Sequence, residues 1–367
     1  MSGLAWISVL VLAGCGDNTS DDSSSSDDTG TDTDTETDTG DSGETTEDPC
    51  ADPVVTFTTE DGTETDLTQA FLIGEYRTLA VPGTLSVCPG TWFSRFLVRA
   101  DVSIVGLGNK PGKTVLSGGE SGTILDIAGP DVHVSVENVT FDRGAGLDVE
   151  HNSGGGGIYC DQEGALTITD AKFTNNTAND GAALYARDCV VDVSSAKFSD
   201  NVSEDDGGAV TLWYSTATFD DVTLEGNDAL DGGAMAMFFS DLTATNTTFD
   251  DNTASIFAGG IWAYESNIDL SDVTISNAVN DGTDHGGGLL VQGSATLENV
   301  TFQANSAPLG GGLYVYYDAV VQGTNCSFLD NAPDDIYAAD YTAEGGVSYT
   351  AGSGYSFTCQ DNACSSN

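Results

Sequence analysis

The chain has 367 residues, 58 acidic against nine basic side chains, and a net charge of −49 at pH 7. Such a charge repels nucleic acid and anionic lipid surfaces and argues against either as a partner of the folded part. Its eight cysteines suit an oxidising, extracytoplasmic setting.

Taken in order, Met1 to Gly14 is an apolar leader whose hydrophobic stretch, Leu4 to Leu12, is too short to span a bilayer and suits a signal-peptide core. It ends in Leu12-Ala13-Gly14-Cys15, which resembles a bacterial lipobox. That resemblance implies that Cys15 carries the lipid, palmitate included, and becomes the first residue of the mature protein. The leader departs from the usual pattern in having no Lys or Arg. Gly16 rather than Asp follows the cysteine, so lipid-anchored display at a bacterial outer membrane or cell surface is expected. Residues 15–49 then read as an acidic tether. From Asn18 to Pro49 the chain is Ser, Thr, Gly, Asp and Glu without an aromatic or a cation, too polar to offset its ordering entropy.

Residues 50–367 read as one elongated domain. Residues 50–126 are expected to hold the amino-terminal cap and first coils, with Thr65 to Leu72 as a short amphipathic cover and Pro82 to Trp92 as an opening strand and turn. Residues 127–345 carry the regular part. There the chain repeats a Phe-x-x-Asn step, a small-residue pair and an apolar strand. The first column reads Phe173, Phe198, Leu224, Phe249, Ile275, Phe302 and Phe328, at spacings of 25, 26, 25, 26, 27 and 26 residues. The amide column reads Asn176, Asn201, Asn227 and Asn252, misses at Ala278, and resumes at Asn305 and Asn331. The glycine column is placed at Gly156, Gly181, Gly207, Gly232, Gly259, Gly287 and Gly311. A fixed period of this length marks a solenoid, in which each unit buries its apolar face only against its neighbours. Alternating runs such as Asn299-Val300-Thr301-Phe302 make the units strands rather than helices. The predicted fold is all-β: a single-stranded right-handed parallel β-helix, pectate-lyase-like, of roughly 10–11 coils, about 50 Å long at the interstrand spacing of a sheet.

The Gly-Gly-[Ala/Ile/Leu] and Phe-x-x-Asn repeats resemble those of chlamydial polymorphic outer-membrane proteins and of many bacterial right-handed parallel β-helix surface proteins, over about half the chain, from near Gly154 to Asn331. The resemblance implies the fold and a surface setting. It is compatible with adhesion and does not specify an activity.

Residues 346–367 are expected to close the stack. With Cys15 lipidated, Cys50 is expected to pair with Cys88, clamping the cap, and Cys160 with Cys189 on successive rungs. At the end, either Cys359 joins Cys364 and Cys326 is a buried thiol, or Cys326 bonds one of those two. No Cys/His spacing matches a zinc site.

Two sets of residues are candidates for binding. Asp180, Asp206 and Asp231 fall on three successive coils just before the glycines, and Glu225 and Asp250, with Asp200 and Asp251 beside them, follow the Phe column. Carboxylates stacked about 5 Å apart share protons or bind a cation, and calcium, which takes 6–8 oxygens, is the candidate cofactor. The bland reading is a solvated, salt-adapted acidic surface. The aromatics that follow the glycines form the second set, which includes Tyr214, Phe238, Phe239, Tyr264 and Tyr317; Trp213, Trp262, Tyr314 and Tyr316 are the best candidates for stacking on sugars, and core packing is the alternative.

β-Helices include polysaccharide lyases and hydrolases, but fold is not function. Arg187 and Lys197 are the only cations near the acidic ladder, His133, His151 and His285 lie far apart in the repeat, and no Ser/His/Asp arrangement is recognisable. No catalytic residue is assigned. The expected role is a lipid-anchored adhesin or ligand-binding protein whose partners are glycans or surface proteins. A calcium-dependent polysaccharide lyase or glycoside hydrolase and a structural surface coat are the alternatives.

Overall fold

A computed structural model describes residues 50, 52, 54–146, 154–340, 346–360 and 363–367. The leader, Cys15, the tether and His151 lie outside the described residues.

The turn from Thr216 to Phe238 shows how sequence becomes coil. Thr216–Asp220 forms a first strand with Ala217 and Phe219 buried and Thr216, Thr218 and Asp220 exposed. The backbone then turns at Asp221, with φ of 57°, into Thr223–Glu225, where Leu224 points inward. A corner at Gly226 leads through buried Asn227 to Asp228–Asp231. The glycine pair reverses direction, and Met235–Phe238 runs back along the last face. We call these strands faces I to IV. Non-glycine residues with positive φ repeat at the corners: Asp170, Ser195, Asp221, Asn246, Asp272 and Asn299 after face I, and Asn175, Asp200, Asp251 and Asn277 after face II. Asn and Asp recur there because their short polar side chains tolerate left-handed backbone.

Each face pairs in parallel with its counterpart one turn on. Nine successive pairings on face I carry the chain from Gly83–Val87 to Val320–Leu329. The solenoid therefore makes about nine turns, somewhat fewer than the ten or eleven expected, because both ends are built differently. At the start, Val55–Thr59 lies antiparallel on Gly83–Val87. The helix Thr68–Ile73 buries Ala70 and Phe71 over the first turns, with the Phe71 ring 5.9 Å from Phe96. At the finish, Gly346–Tyr349 and Tyr355–Gln360 return antiparallel onto the last coils, and Phe357 is fully buried there. A solenoid has to cover its terminal apolar layer and unpaired edge, and antiparallel strands do so at both ends.

Inside, identical side chains stack. Phe141 and Phe173 lie 4.9 Å apart, Phe173 and Phe198 4.6 Å, and Phe302 and Phe328 4.8 Å, with near-parallel rings. Beside them runs an amide ladder. Asn201 Nδ2 donates to Asn227 Oδ1 at 3.0 Å and to the Phe173 carbonyl at 3.2 Å, and Asn227 Oδ1 also accepts from the Asn201 backbone N–H at 3.1 Å. The same pattern joins Asn176 to Asn201, Asn227 to Asn252, and Asn305 to Asn331. At Ala278 only the backbone N–H takes part, donating to Asn305 Oδ1 at 2.9 Å.

One column shifts from its sequence placement. The residues with positive φ before face IV are Gly155, Gly181, Gly207, Gly232, Ala258, Gly286 and Gly310. Gly156, Gly259, Gly287 and Gly311 thus sit one position too far along, because in Gly-Gly pairs either residue matches the pattern. The conformation matters at Gly207, where an added Cβ would lie 2.2 Å from the Val210 carbonyl oxygen.

Disulfides join Cys50 to Cys88, Cys160 to Cys189 and Cys359 to Cys364. Cys326 is a buried free thiol whose pKa burial raises.

Candidate functional site

Face IV carries the candidate site. Its strands bury two inward rows, one of which reads Ile158, Leu184, Val210, Met235, Ile261, Leu289 and Leu313. The alternating positions make two outward rows. One reads Tyr159, Tyr185, Thr211, Ala236, Trp262, Leu290 and Tyr314, and the other Arg187, Trp213, Phe238 and Tyr264.

In the middle coils these rows merge into an aromatic cluster. Trp213 stacks on Phe238 at 4.2 Å, Phe238 meets Trp262 edge-on at 5.0 Å, and Tyr214 stacks on Phe239 at 5.0 Å. Phe239 in turn meets Tyr264 edge-on at 5.6 Å. Phe238 is buried at the base, whereas Tyr214 is 57% and Phe239 39% exposed. Tyr214 and Phe239 occupy the corner after face IV with φ of 49° and 52°, where the adjacent turns place Asp188 and Glu265. Left-handed backbone costs a residue with a Cβ roughly 1–2 kcal/mol, which Tyr214, more than half exposed, recovers only in part by burial.

The sugar-stacking candidates therefore separate. Trp213 and Trp262 lie in this cluster, half-buried. Tyr314 does not offer a face, which corrects the expectation from sequence. It points outward, but only 4% is exposed, because it is stacked between His285 at 4.5 Å and Tyr337 at 5.4 Å and belongs to a small outer core with Ala258, Leu290 and Ala339. Tyr316 packs at the margin of that core, with its ring 4.7 Å from Tyr317.

The carboxylates also separate. Asp206 and Asp231 are bridge partners on adjacent turns beside face IV, and the Asp206 backbone N–H donates to Asp180 Oδ1 at 3.3 Å. Asp205, which the column pattern passes over, completes the group: oxygens of Asp180, Asp205 and Asp206 lie within 4.8 Å of one another. Burial, reinforced by Asp180, Asp205 and Asp231, pushes the Asp206 pKa up to about 8. Burial raises Asp180 to about 6, against a hydrogen bond from the Asp206 backbone. Burial likewise raises Asp231 to about 6, although its Oδ1 accepts from the Phe257 N–H at 2.9 Å.

This spacing would admit a shared cation, but one oxygen from each carboxylate gives three of the six to eight that calcium takes. The nearby Asp206 carbonyl already accepts from Gly181 N–H, Ser203 Oγ and Thr211 Oγ1. Bidentate carboxylates or water would have to supply the rest, and without a cation the raised pKa values let the group share a proton. Asp200, Glu225, Asp250 and Asp251 form no second cluster of three ligand atoms among the described residues. Asp200 and Asp251 are corner residues with φ of 56° and 54°. Glu225 pairs with Lys197 at 2.6 Å, and Asp250 Oδ1 accepts from Ser276 Oγ and Asn277 Nδ2 at 2.7 Å each.

Sequence reasoning also passed over a serine ladder beneath the aromatic cluster. Cys189 N–H donates to Ser215 Oγ, Ser215 N–H to Ser240 Oγ, and Ser240 N–H to Ser266 Oγ, at 3.0, 3.0 and 3.1 Å. Each serine follows the corner residue after face IV, so the ladder fixes Tyr214 and Phe239 from one side. The available signal was Ser215, Ser240 and Ser266 recurring at the repeat period.

A family model described as a right handed beta helix region matches residues 127–282. Among solved structures, the chain is similar to the A-module of the mannuronan C-5 epimerase AlgE6 of Azotobacter vinelandii, at 13% identity and a TM-score of 0.37, covering 70% of this chain and 83% of that one. It is also similar to PfbA, a surface adhesin of Streptococcus pneumoniae, at 9% identity and a TM-score of 0.25, covering 81% of this chain and 91% of that one. No curated protein matches the chain. Neither structural likeness reaches the level at which shared chemistry follows.

Proposed function

We propose that this right-handed β-helix is a glycan-binding adhesin, tethered to the outer surface of a bacterial cell through lipid on Cys15, and that the middle coils of face IV hold its binding surface. The observation that carries this reading is the pair Tyr214 and Phe239, exposed and stacked at 5.0 Å on left-handed corner backbone. Folding alone favours Asn, Asp or Gly at such corners, and strain kept at an exposed position points to use there. Trp213 and Trp262 extend the same surface, and partly exposed aromatic rings suit the apolar faces of sugars. The carboxylates of Asp180, Asp205, Asp206 and Asp231, at the opposite end of the face IV strands, supply hydrogen-bond acceptors. Asp206, whose pKa burial pushes up to about 8, also supplies a donor when protonated.

Catalysis is not part of the proposal: the rings and carboxylates recognise and orient a sugar without a step that breaks a bond. A glycan array probed with the full chain, in calcium and then in chelator, tests the reading. Binding to one glycan class under both conditions supports it. Binding that vanishes with chelator would assign the acidic cluster to calcium instead. Silence under both conditions would end the carbohydrate reading.

A further inference from the structure

On the same outer side of the solenoid, the first coils form a groove of about 990 Å³ that includes Arg95, Arg99 and Arg187 among its walls. These are three of only nine basic residues in a chain of net charge −49. Among the described residues, the acidic side chains lining it are Glu120, Asp126 and Asp161, as many as the arginines, whereas over the whole chain acids outnumber bases 58 to nine.

The three arginines differ in how they are held. Arg187 is fixed to Asp161 by two hydrogen bonds, Nε to Oδ1 at 3.0 Å and Nη2 to Oδ2 at 2.7 Å. Neither Arg95 nor Arg99 forms an ion pair with a described residue. Arg95 lies 6.0 Å from the centroid of the Tyr76 ring, and its Nε is buried without a hydrogen-bond partner. A buried, unpaired donor on a charged group is costly. The cost is kept although carboxylates are abundant in this chain. Room for the guanidinium comes from Gly122, where an added Cβ would lie 2.4 Å from Arg95 Nη2.

We infer that this groove is a second binding site, taking the oxyanion of an acidic glycan, a carboxylate or a sulfate ester, on the guanidinium groups of Arg95 and Arg99. A planar guanidinium offers paired donors that match such groups, and Tyr76 and Tyr159 line the same groove, the latter with its ring stacked on Tyr185 at 5.4 Å. The groove also continues into the aromatic surface. Arg187, in its wall, is the register neighbour of Trp213, which is followed by Phe238 and Tyr264. A glycan chain lying along the solenoid axis would meet the charged groove in the first coils and the stacking surface in the middle ones. The inference rests on the carbohydrate reading for the kind of ligand, and on the arginines for its charge.

The test titrates the full chain calorimetrically with a hexuronate and its methyl ester, and with a sulfated hexasaccharide and its desulfated form. Wild type is compared with Arg95→Gln/Arg99→Gln and with the milder Arg99→Gln, each checked for unchanged melting temperature. The expected result is that at least one charged probe binds tenfold or more tighter than its neutral partner. Added salt should weaken that preference, and the double variant should lose it. Equal binding of charged and neutral forms by wild type, no binding of either, or a charge preference that survives in the variants overturns the inference. Trp213→Ala separates the two proposals. If it abolishes binding of neutral glycans while the arginine variants change nothing, the aromatic surface stands and the groove falls.

Discussion

At the residue scale, the amide ladder shows how one side chain comes to hold two turns. Asn227 is fully buried, accepts from the Asn201 N–H and Nδ2, and donates to the Phe198 carbonyl and Asn252 Oδ1. Asn227→Ala strands buried donors and acceptors on both neighbours, each worth about 1–3 kcal/mol when left unpaired. We expect a loss of about 2–4 kcal/mol in urea unfolding, with an unchanged denaturant slope. Tyr214 and Phe239 should behave in the opposite way. Tyr214→Asn and Phe239→Asn relieve left-handed strain of roughly 1–2 kcal/mol, which offsets a ring pair worth about 0.5–1.5 kcal/mol beyond the partial burial lost with it. The melting temperature of each should stay close to that of wild type. A clear drop would show that the pair is structural. The Asn column is legible in sequence because one residue type recurs at one spacing. The special status of Tyr214 and Phe239 is not, because a one-dimensional pattern does not show which aromatic falls on a left-handed corner.

At the element scale, face IV explains why the acidic ladder is pH-sensitive. Its turn places Asp180, Asp206 and Asp231 one above another beside a half-covered strand, so burial, with repulsion from Asp205 and, at Asp206, from both column neighbours, holds their pKa values at about 6, 8 and 6. In the unfolded chain each would sit near 4. Between about pH 4 and 8 the folded chain therefore binds more protons than the unfolded one, and stability falls as pH rises through that window. Melting curves should shift down between pH 5 and 8.5. Asp206→Asn, which keeps the size and removes the charge, should flatten most of the slope above pH 6. A profile as steep in the variant as in wild type would contradict the shared-proton reading. The strand types, the Phe column and the three-coil carboxylate column could all be read from periodicity. The contribution of Asp205 could not, because it stands one position outside the column and joins the group only through the corner that precedes the glycines. Tyr314 misled for a related reason: alternation gives the side of a strand, not what packs over that side.

At the scale of the molecule, the net charge of −49 works against compaction. Screening lengths shorten from about 30 Å at 0.01 M salt to about 8 Å at 0.15 M. Sodium chloride should therefore raise the melting temperature over that range, by an amount largely independent of Asp206→Asn, since charges all over the surface contribute. No response to salt would mean that the acidic side chains are too far apart to matter. The solenoid as a whole was legible because a 25–27-residue repeat permits few other architectures. A cap with Thr65 to Leu72 as cover and a closing segment at 346–367 were also legible; the antiparallel pairing of the ends was not, because the strands Val55–Thr59 and Tyr355–Gln360 that make it share no residue with the repeat.

The central claim is that exposed rings at strained corners of face IV bind sugar. The measurement that tests it most directly is a glycan array probed side by side with wild type and Tyr214→Asn/Phe239→Asn, both shown by melting to be folded. The account predicts that wild type retains one class of glycan and that the variant loses it by tenfold or more, with no loss of stability. Retention of the same glycans by the variant, or of none by wild type, would contradict it.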